Sequence, residues 1–110
     1  MANTFKNAIS AAVGTSQASV YTVPSATTTT CIGLTVANRT ASSITVDVEV
    51  TDTSASTSVF LVKGAAVPAG GALVPIGGDQ KVVLETTDII KVTSSAASSA
   101  DVIVSVLEQS

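Results

Sequence analysis

The residues with chemical potential in this chain are few. There are eight acidic residues, five lysines and arginines, one cysteine and one tyrosine, and neither histidine nor tryptophan. Without histidine, Ser-His-Asp and Cys-His nucleophile systems are excluded in their usual form, as is a histidine-based metal site. Cys31 lies in an apolar run with no base beside it, which marks it as a small core residue rather than a nucleophile; being alone, it cannot form an internal disulfide. Asp47, Glu49 and Asp52 fall on one side and at the exit of a single stretch. Calcium wants six to eight oxygens, so the trio invites a cation, but a solvated strand face is the favoured account. Asp79 and Asp88 sit among turn residues, where aspartate carboxylates bond nearby amides. Three aromatic residues cannot line a sugar cleft, which argues against glycoside hydrolysis. No enzyme, no cofactor and no metal are therefore expected.

Gly70-Gly71 and Gly77-Gly78 match neither a dinucleotide fingerprint nor a phosphate loop, because no helix follows to receive a phosphate. They belong to the turn clusters Pro68-Ala69-Gly70-Gly71 and Pro75-Ile76-Gly77-Gly78. Asn38-Arg39-Thr40 has the form of a glycosylation acceptor, but it closes a β run and is better explained as hairpin chemistry. A net charge of −3 with scattered basic residues argues against nucleic acid and anionic membranes. No apolar run approaches the roughly 18 residues of a membrane-spanning helix. The opening MANTFKNAISAAVG lacks the apolar stretch of a secretory signal and predicts a mature N-terminus made in the cytoplasm.

The elements that would position these residues are strands. The chain has 110 residues, room for one domain, and its aliphatic residues come in short runs bounded by Gly, Pro, Asn and Ser. Ser43 to Asp52 alternates most clearly: Ile44, Val46, Val48 and Val50 share one face, while Thr45, Asp47, Glu49 and Thr51 share the other. Further strands are predicted for Ala18 to Val23, Cys31 to Ala37 with the Thr27–Thr30 run leading in, and Ser58 to Lys63. Others follow over Ala72 to Val74, Lys81 to Glu85, Ile89 to Thr93 and Asp101 to Glu108. About eight strands with turns every eight to twelve residues predict an all-β fold, a single antiparallel β-sandwich of jelly-roll or Ig-like type.

Residues 1–16 are expected as an extended N-terminal arm and residues 17–110 as the sandwich domain. Phe5, Ile9 and Val13 form a narrow stripe in the arm and are its candidate contact residues. Phe60-Leu61-Val62, Val82-Val83-Leu84, Ile89-Ile90 and Val102-Ile103-Val104 carry apolar groups on both faces of their strands, whereas a two-sheet sandwich buries only one face of each sheet. Loops and the arm must cover the outer faces, or another subunit does; a subunit is the expectation.

Several phrases together carry a likeness: the opening MANTFKNA, Tyr21-Thr22-Val23-Pro24, IGLTVAN from Ile32, VDVEVTD from Val46, VPAGG from Val67, LETTDIIKV from Leu84 and VIVSVLE from Val102. The chain resembles, over nearly its whole length, the small virion structural proteins of tailed bacteriophages, especially phages of marine bacteria and cyanobacteria. Such proteins often have Gly before the aspartate of the corner where this chain has Thr87. The resemblance implies a β-sandwich carried on the virion and made in the host cytoplasm. Within that class it points to a head decoration, or cement, protein. As such it would bind the major capsid protein and itself, as a homotrimer, with neither nucleic acid nor membrane as partner. A tail, neck or fibre-associated component of the virion is the alternative, and a host-surface carbohydrate-binding module is a further one.

Overall fold

The computed structural model describes residues 2–77 and 80–110. Nine strands are found among them: β1 (Asn3–Val13), β2 (Ala18–Thr22), β3 (Thr28–Asn38), β4 (Ile44–Asp52), β5 (Thr57–Val67), β6 (Ala72–Ile76), β7 (Val82–Leu84), β8 (Ile89–Ser94) and β9 (Ala100–Gln109). They build two antiparallel sheets. Sheet I has the order β1-β9-β3-β6, with β7 also paired to β3; sheet II has the order β2-β8-β4-β5. Successive strands alternate between the sheets except at the β4–β5 hairpin and the β6–β7 pair. This is the strand order of a jelly roll, so of the two sandwich types expected the structure is the jelly roll.

Alternation explains the core. On β4 the residues Ile44, Val46, Val48 and Val50 are buried, and on β9 Ala100, Val102, Val104 and Val106 are. These two inner faces meet with Leu34, Val36, Ile90 and Val92 between the sheets. Cys31 is fully buried among them. The core is thus almost wholly aliphatic, each buried side chain contributing about 1.5–3 kcal/mol before entropy is subtracted.

The segment expected as an arm is extended but not free. Residues 3–10 pair in continuous register with β9, from Asn3 opposite Gln109 to Ser10 opposite Val102. The reason is side-chain period: Phe5, Asn7 and Ile9 share one face and Thr4, Lys6, Ala8 and Ser10 the other, a pattern as compatible with a sheet as with the helical stripe. At Ala12 the backbone turns to φ 55° and its amide donates to Asp101 Oδ1 at 2.9 Å, marking a bulge. The extra residue reverses the parity, and Val13 turns into the core.

Other boundaries shift for local reasons. β5 runs on through Gly64-Ala65-Ala66-Val67 because Gly64, at φ 63°, forms a bulge whose amide donates to Asp47 Oδ1 at 2.6 Å. Pro68 to Gly71 is a turn, with Gly70 at φ 68° and the Gly71 amide donating to Pro68 O at 2.9 Å. Pro75 and Ile76 belong to β6 rather than to a turn, and the chain turns at Gly77, whose carbonyl accepts from the Gln80 amide. Gly78 and Asp79, also expected in that turn, lie outside the described residues. The segment after Asn38 is not a hairpin, because β3 and β4 lie in different sheets.

Candidate functional site

The two outer faces of the sandwich differ in chemistry. On sheet II the outward residues of β4 and β8 pair as Asp47 with Thr93, Glu49 with Lys91 and Thr51 with Ile89, a mostly polar and charged surface. Beside it Lys63 lies 3.4 Å from Asp47 and stacks 4.8 Å above the Phe60 ring.

Sheet I turns apolar groups outward. β1 and β9 pair Phe5 with Leu107 and Ile9 with Ile103, on the face opposite to the buried Val102, Val104 and Val106. Phe5 is 74% exposed, Ile9 70% and Ile103 45%. On β7, Val83 stands opposite Thr30, itself the partner of Leu107, and is 66% exposed. A shallow groove of about 310 Å³ runs between Ile9, Ala11, Thr35, Ala37 and Ile103. Among the described residues β1 extends the sheet sideways, pairing with β9 at its edge, instead of folding over this face. Of the three residues proposed as contacts, Phe5 and Ile9 are brought together on this surface, and Val13 is withdrawn into the protein's own core. Leu107 and Ile103 are the partners that sequence alone left unassigned; their phase, opposite to Val102, Val104 and Val106, was the available signal.

The carboxylates regroup. Asp47 and Glu49 do not join Asp52, since Asp47 is held by Lys63 and Gly64 and Glu49 accepts from Gln17 Nε2 at 3.0 Å. Asp52 lies instead with Glu85 and Asp88, their nearest oxygens all within 4.8 Å. Each of the two aspartates has structural work. Asp88 is buried and accepts from the amides of Glu85 at 2.9 Å and Thr53 at 3.2 Å, tying two loops. Asp52 accepts from the Ser54 hydroxyl at 2.7 Å and the Ala55 amide at 3.0 Å, and these donors hold its carboxyl below the usual range. The cluster is therefore a pair of loop clamps with Glu85 beside it.

A second polar group joins the sheets. Tyr21, on β2, donates its hydroxyl to Glu108 Oε2 on β9 at 2.7 Å, and its oxygen lies 2.8 Å from Thr29 Oγ1 on β3. Because the single tyrosine proton goes to the carboxylate, Thr29 donates to the tyrosine. Lys6 on β1 completes the set, 3.4 Å from Glu108 Oε1. Burial pushes the tyrosine up to about 12; the Thr29 hydroxyl opposes that rise and the neighbouring Glu108 adds to it. The signal in sequence was Glu108, a charge in phase with Val102, Val104 and Val106. Such a residue on a buried face needs a partner.

Cys31 is inert by position: burial raises its thiol, and its sulfur donates weakly to Gly33 O at 3.6 Å. Asn38 is likewise committed. Its side-chain amide donates to the carbonyls of Ser42, Val67 and Pro68 at 2.7, 3.1 and 3.2 Å, while Oδ1 accepts from the Thr40 amide and hydroxyl. A glycan has no nitrogen to attach to without dismantling that corner. Compared with known protein families, curated proteins and solved structures, the chain matches none.

Proposed function

We propose that this protein is a structural component of a tailed-phage virion, a decoration protein that attaches to the outside of the capsid and stabilises the head. One observation carries the reading: the outer face of sheet I presents Phe5, Ile9, Val83 and Ile103 to solvent on a weakly charged molecule, whose other large exposed apolar side chains among the described residues are Val59 and Phe60 on β5 and Val74 on β6. Exposed apolar surface of this extent on a small domain marks an interaction site. The jelly roll itself recurs in viral capsid domains and in lectins, a likeness of fold that raises the first reading without deciding it. The resemblance of its sequence phrases to those of small virion proteins is the other support for this reading.

The mechanism is physical rather than chemical. Apolar area on sheet I leaves water against a neighbouring capsid subunit, each contact being weak, and many copies bound across one lattice convert weak contacts into a reinforced shell. Quantitative mass spectrometry of purified virions tests it. A copy number in fixed ratio to the major capsid protein is expected; a handful of copies moves the protein to the neck, tail or fibres, and absence overturns the reading. Phe5→Ala with Ile9→Ala is expected to lower capsid occupancy while changing stability by no more than about 0.5 kcal/mol, because both side chains are exposed. Unchanged occupancy removes this face from the mechanism.

A further inference from the structure

We propose that a second copy of this chain pairs with the free edge of β1, antiparallel, about a two-fold axis passing between the two Asn7 residues. The first ground is that the other sheet edges are protected and this one is not. β2 and β6 are five residues long and β7 three, and β6 contains Pro75. β5 is broken by register shifts, bulges at Gly64 and carries Lys63. By contrast, β1 runs without interruption from Asn3 to Ser10, has no proline, and bears one charge, Lys6, already paired with Glu108. A long, regular, nearly uncharged edge is a template for another strand.

The second ground is where the free backbone groups lie. Ala2 and Ser110 exchange both amide bonds, at 2.8 and 3.0 Å, which fixes the ladder's phase. Thr4, Lys6, Ala8 and Ser10 then bond to β9, and the N–H and C=O groups of Asn3, Phe5, Asn7 and Ile9 point to the open edge. The residues with free backbone groups are thus the ones whose side chains stand on the outer, apolar face.

The third ground selects the register. Phe5 and Ile9 are symmetric about Asn7, so opposing Asn7 with itself sets Phe5 of each copy against Ile9 of the other, an aromatic–aliphatic pair at both ends. Lys6 then faces Ala8. Of the two neighbouring registers of correct phase, one sets the two Lys6 residues against each other, and the other opposes Ala8 with itself and pairs only residues 6–10 of the regular stretch, against residues 4–10 here. The shared strip is one strand wide, so the expected product is a concentration-dependent dimer and not an obligate one. It stands in place of the trimer that the resemblance implies, and it does not depend on the virion reading.

The test uses purified protein and disulfide trapping. In this register the two Asn7 Cα atoms lie about 5.5 Å apart, inside the roughly 4.4–6.8 Å that a disulfide spans. The two Asn3 residues, in contrast, are separated by about 27 Å of strand. Cys31 is fully buried and does not compete. Asn7→Cys is expected to give a covalent dimer on mild oxidation, and Asn3→Cys, on the same face of the same strand, is not. Adding Ile9→Pro to Asn7→Cys removes an amide that points only to the open edge, so cross-linking is expected to fall at least about tenfold while the circular dichroism spectrum and melting temperature of the monomer persist. Failure of Asn7→Cys to cross-link, equal rates for the two cysteine variants, or indifference to Ile9→Pro in a folded protein each overturns the pairing.

Discussion

Raising pH should weaken this protein through Tyr21 in particular. The hydroxyl sits between the sheets, 2.7 Å from Glu108 and 2.8 Å from Thr29, and its ionisation would place a second negative charge against the carboxylate. The folded-state value is raised to about 12 from the ordinary 10.0. A raised value means that the folded protein holds the proton more tightly than the unfolded chain does. The stabilisation is therefore complete below about pH 10 and lost as pH climbs from there to about 12. Two pK units at about 1.36 kcal/mol each bound the loss at about 2.7 kcal/mol. The assay is direct, because the chain has one tyrosine and no tryptophan, so tyrosinate absorbance reports Tyr21 alone. In the folded protein the titration midpoint is expected about two units above that in concentrated urea. Tyr21→Phe removes a buried bond to a charged group and should cost about 1.5–3 kcal/mol near pH 8. Plotted against pH, the gap between wild type and variant in urea midpoint should close between about pH 10 and pH 12. A gap that stays constant over that range, or a midpoint equal to that of the unfolded chain, refutes the reasoning.

Two other substitutions test the corners that join the strands. Asn38→Ala leaves the carbonyls of Ser42, Val67 and Pro68 without their shared donor and should cost about 2–3 kcal/mol in urea unfolding; a loss under about 0.5 kcal/mol would mean that the corner is held by other bonds. Thr87 is β-branched yet sits at φ 68°, a conformation that costs an L-residue about 1–2 kcal/mol. Thr87→Gly removes that strain against an unfolded-state penalty of about 0.4–1 kcal/mol and a lost exposed bond to Thr53, for a net gain of about 0.5 kcal/mol in a Thr53→Ala background, where the bond is already absent. Destabilisation there would show that the Thr87 backbone is relaxed.

The legible parts of the fold were those where side-chain period and burial agree. Ile44 to Thr51 alternates without exception, and its inward and outward residues are as read. The β1 segment was ambiguous because Phe5, Ile9 and Val13, spaced by four, fit one face of a regular strand and also a helical stripe. Only the bulge at Ala12 separates Val13 from the other two, and no glycine or proline announces it. The meeting of Asp52, Glu85 and Asp88 was not legible for a different reason. They come together because the β4 exit and the β7–β8 corner reach the same end of the sandwich. Proximity of that kind depends on strand order, which local patterns do not encode. At the Thr87 corner the backbone is left-handed, a conformation that glycine adopts without the steric cost threonine meets.

The edge and the face of sheet I belong to one argument. An antiparallel pair about a two-fold perpendicular to the sheet keeps both outer faces on the same side. Two copies joined through β1 would then merge their patches, with Phe5 and Ile9 at the seam and Ile103 and Leu107 flanking it on either side. Lys6 stays on the opposite face, held by Glu108 beneath the strand, and leaves the apolar surface uncharged. Pairing through the edge would leave that face open, so the proposed dimer would have a broader apolar surface than either copy, and under the capsid reading each attachment would become bivalent. The proposed edge pairing and the proposed capsid attachment would then reinforce each other without competing for the same atoms, because the first would use the backbone groups of β1 and the second the side chains above them.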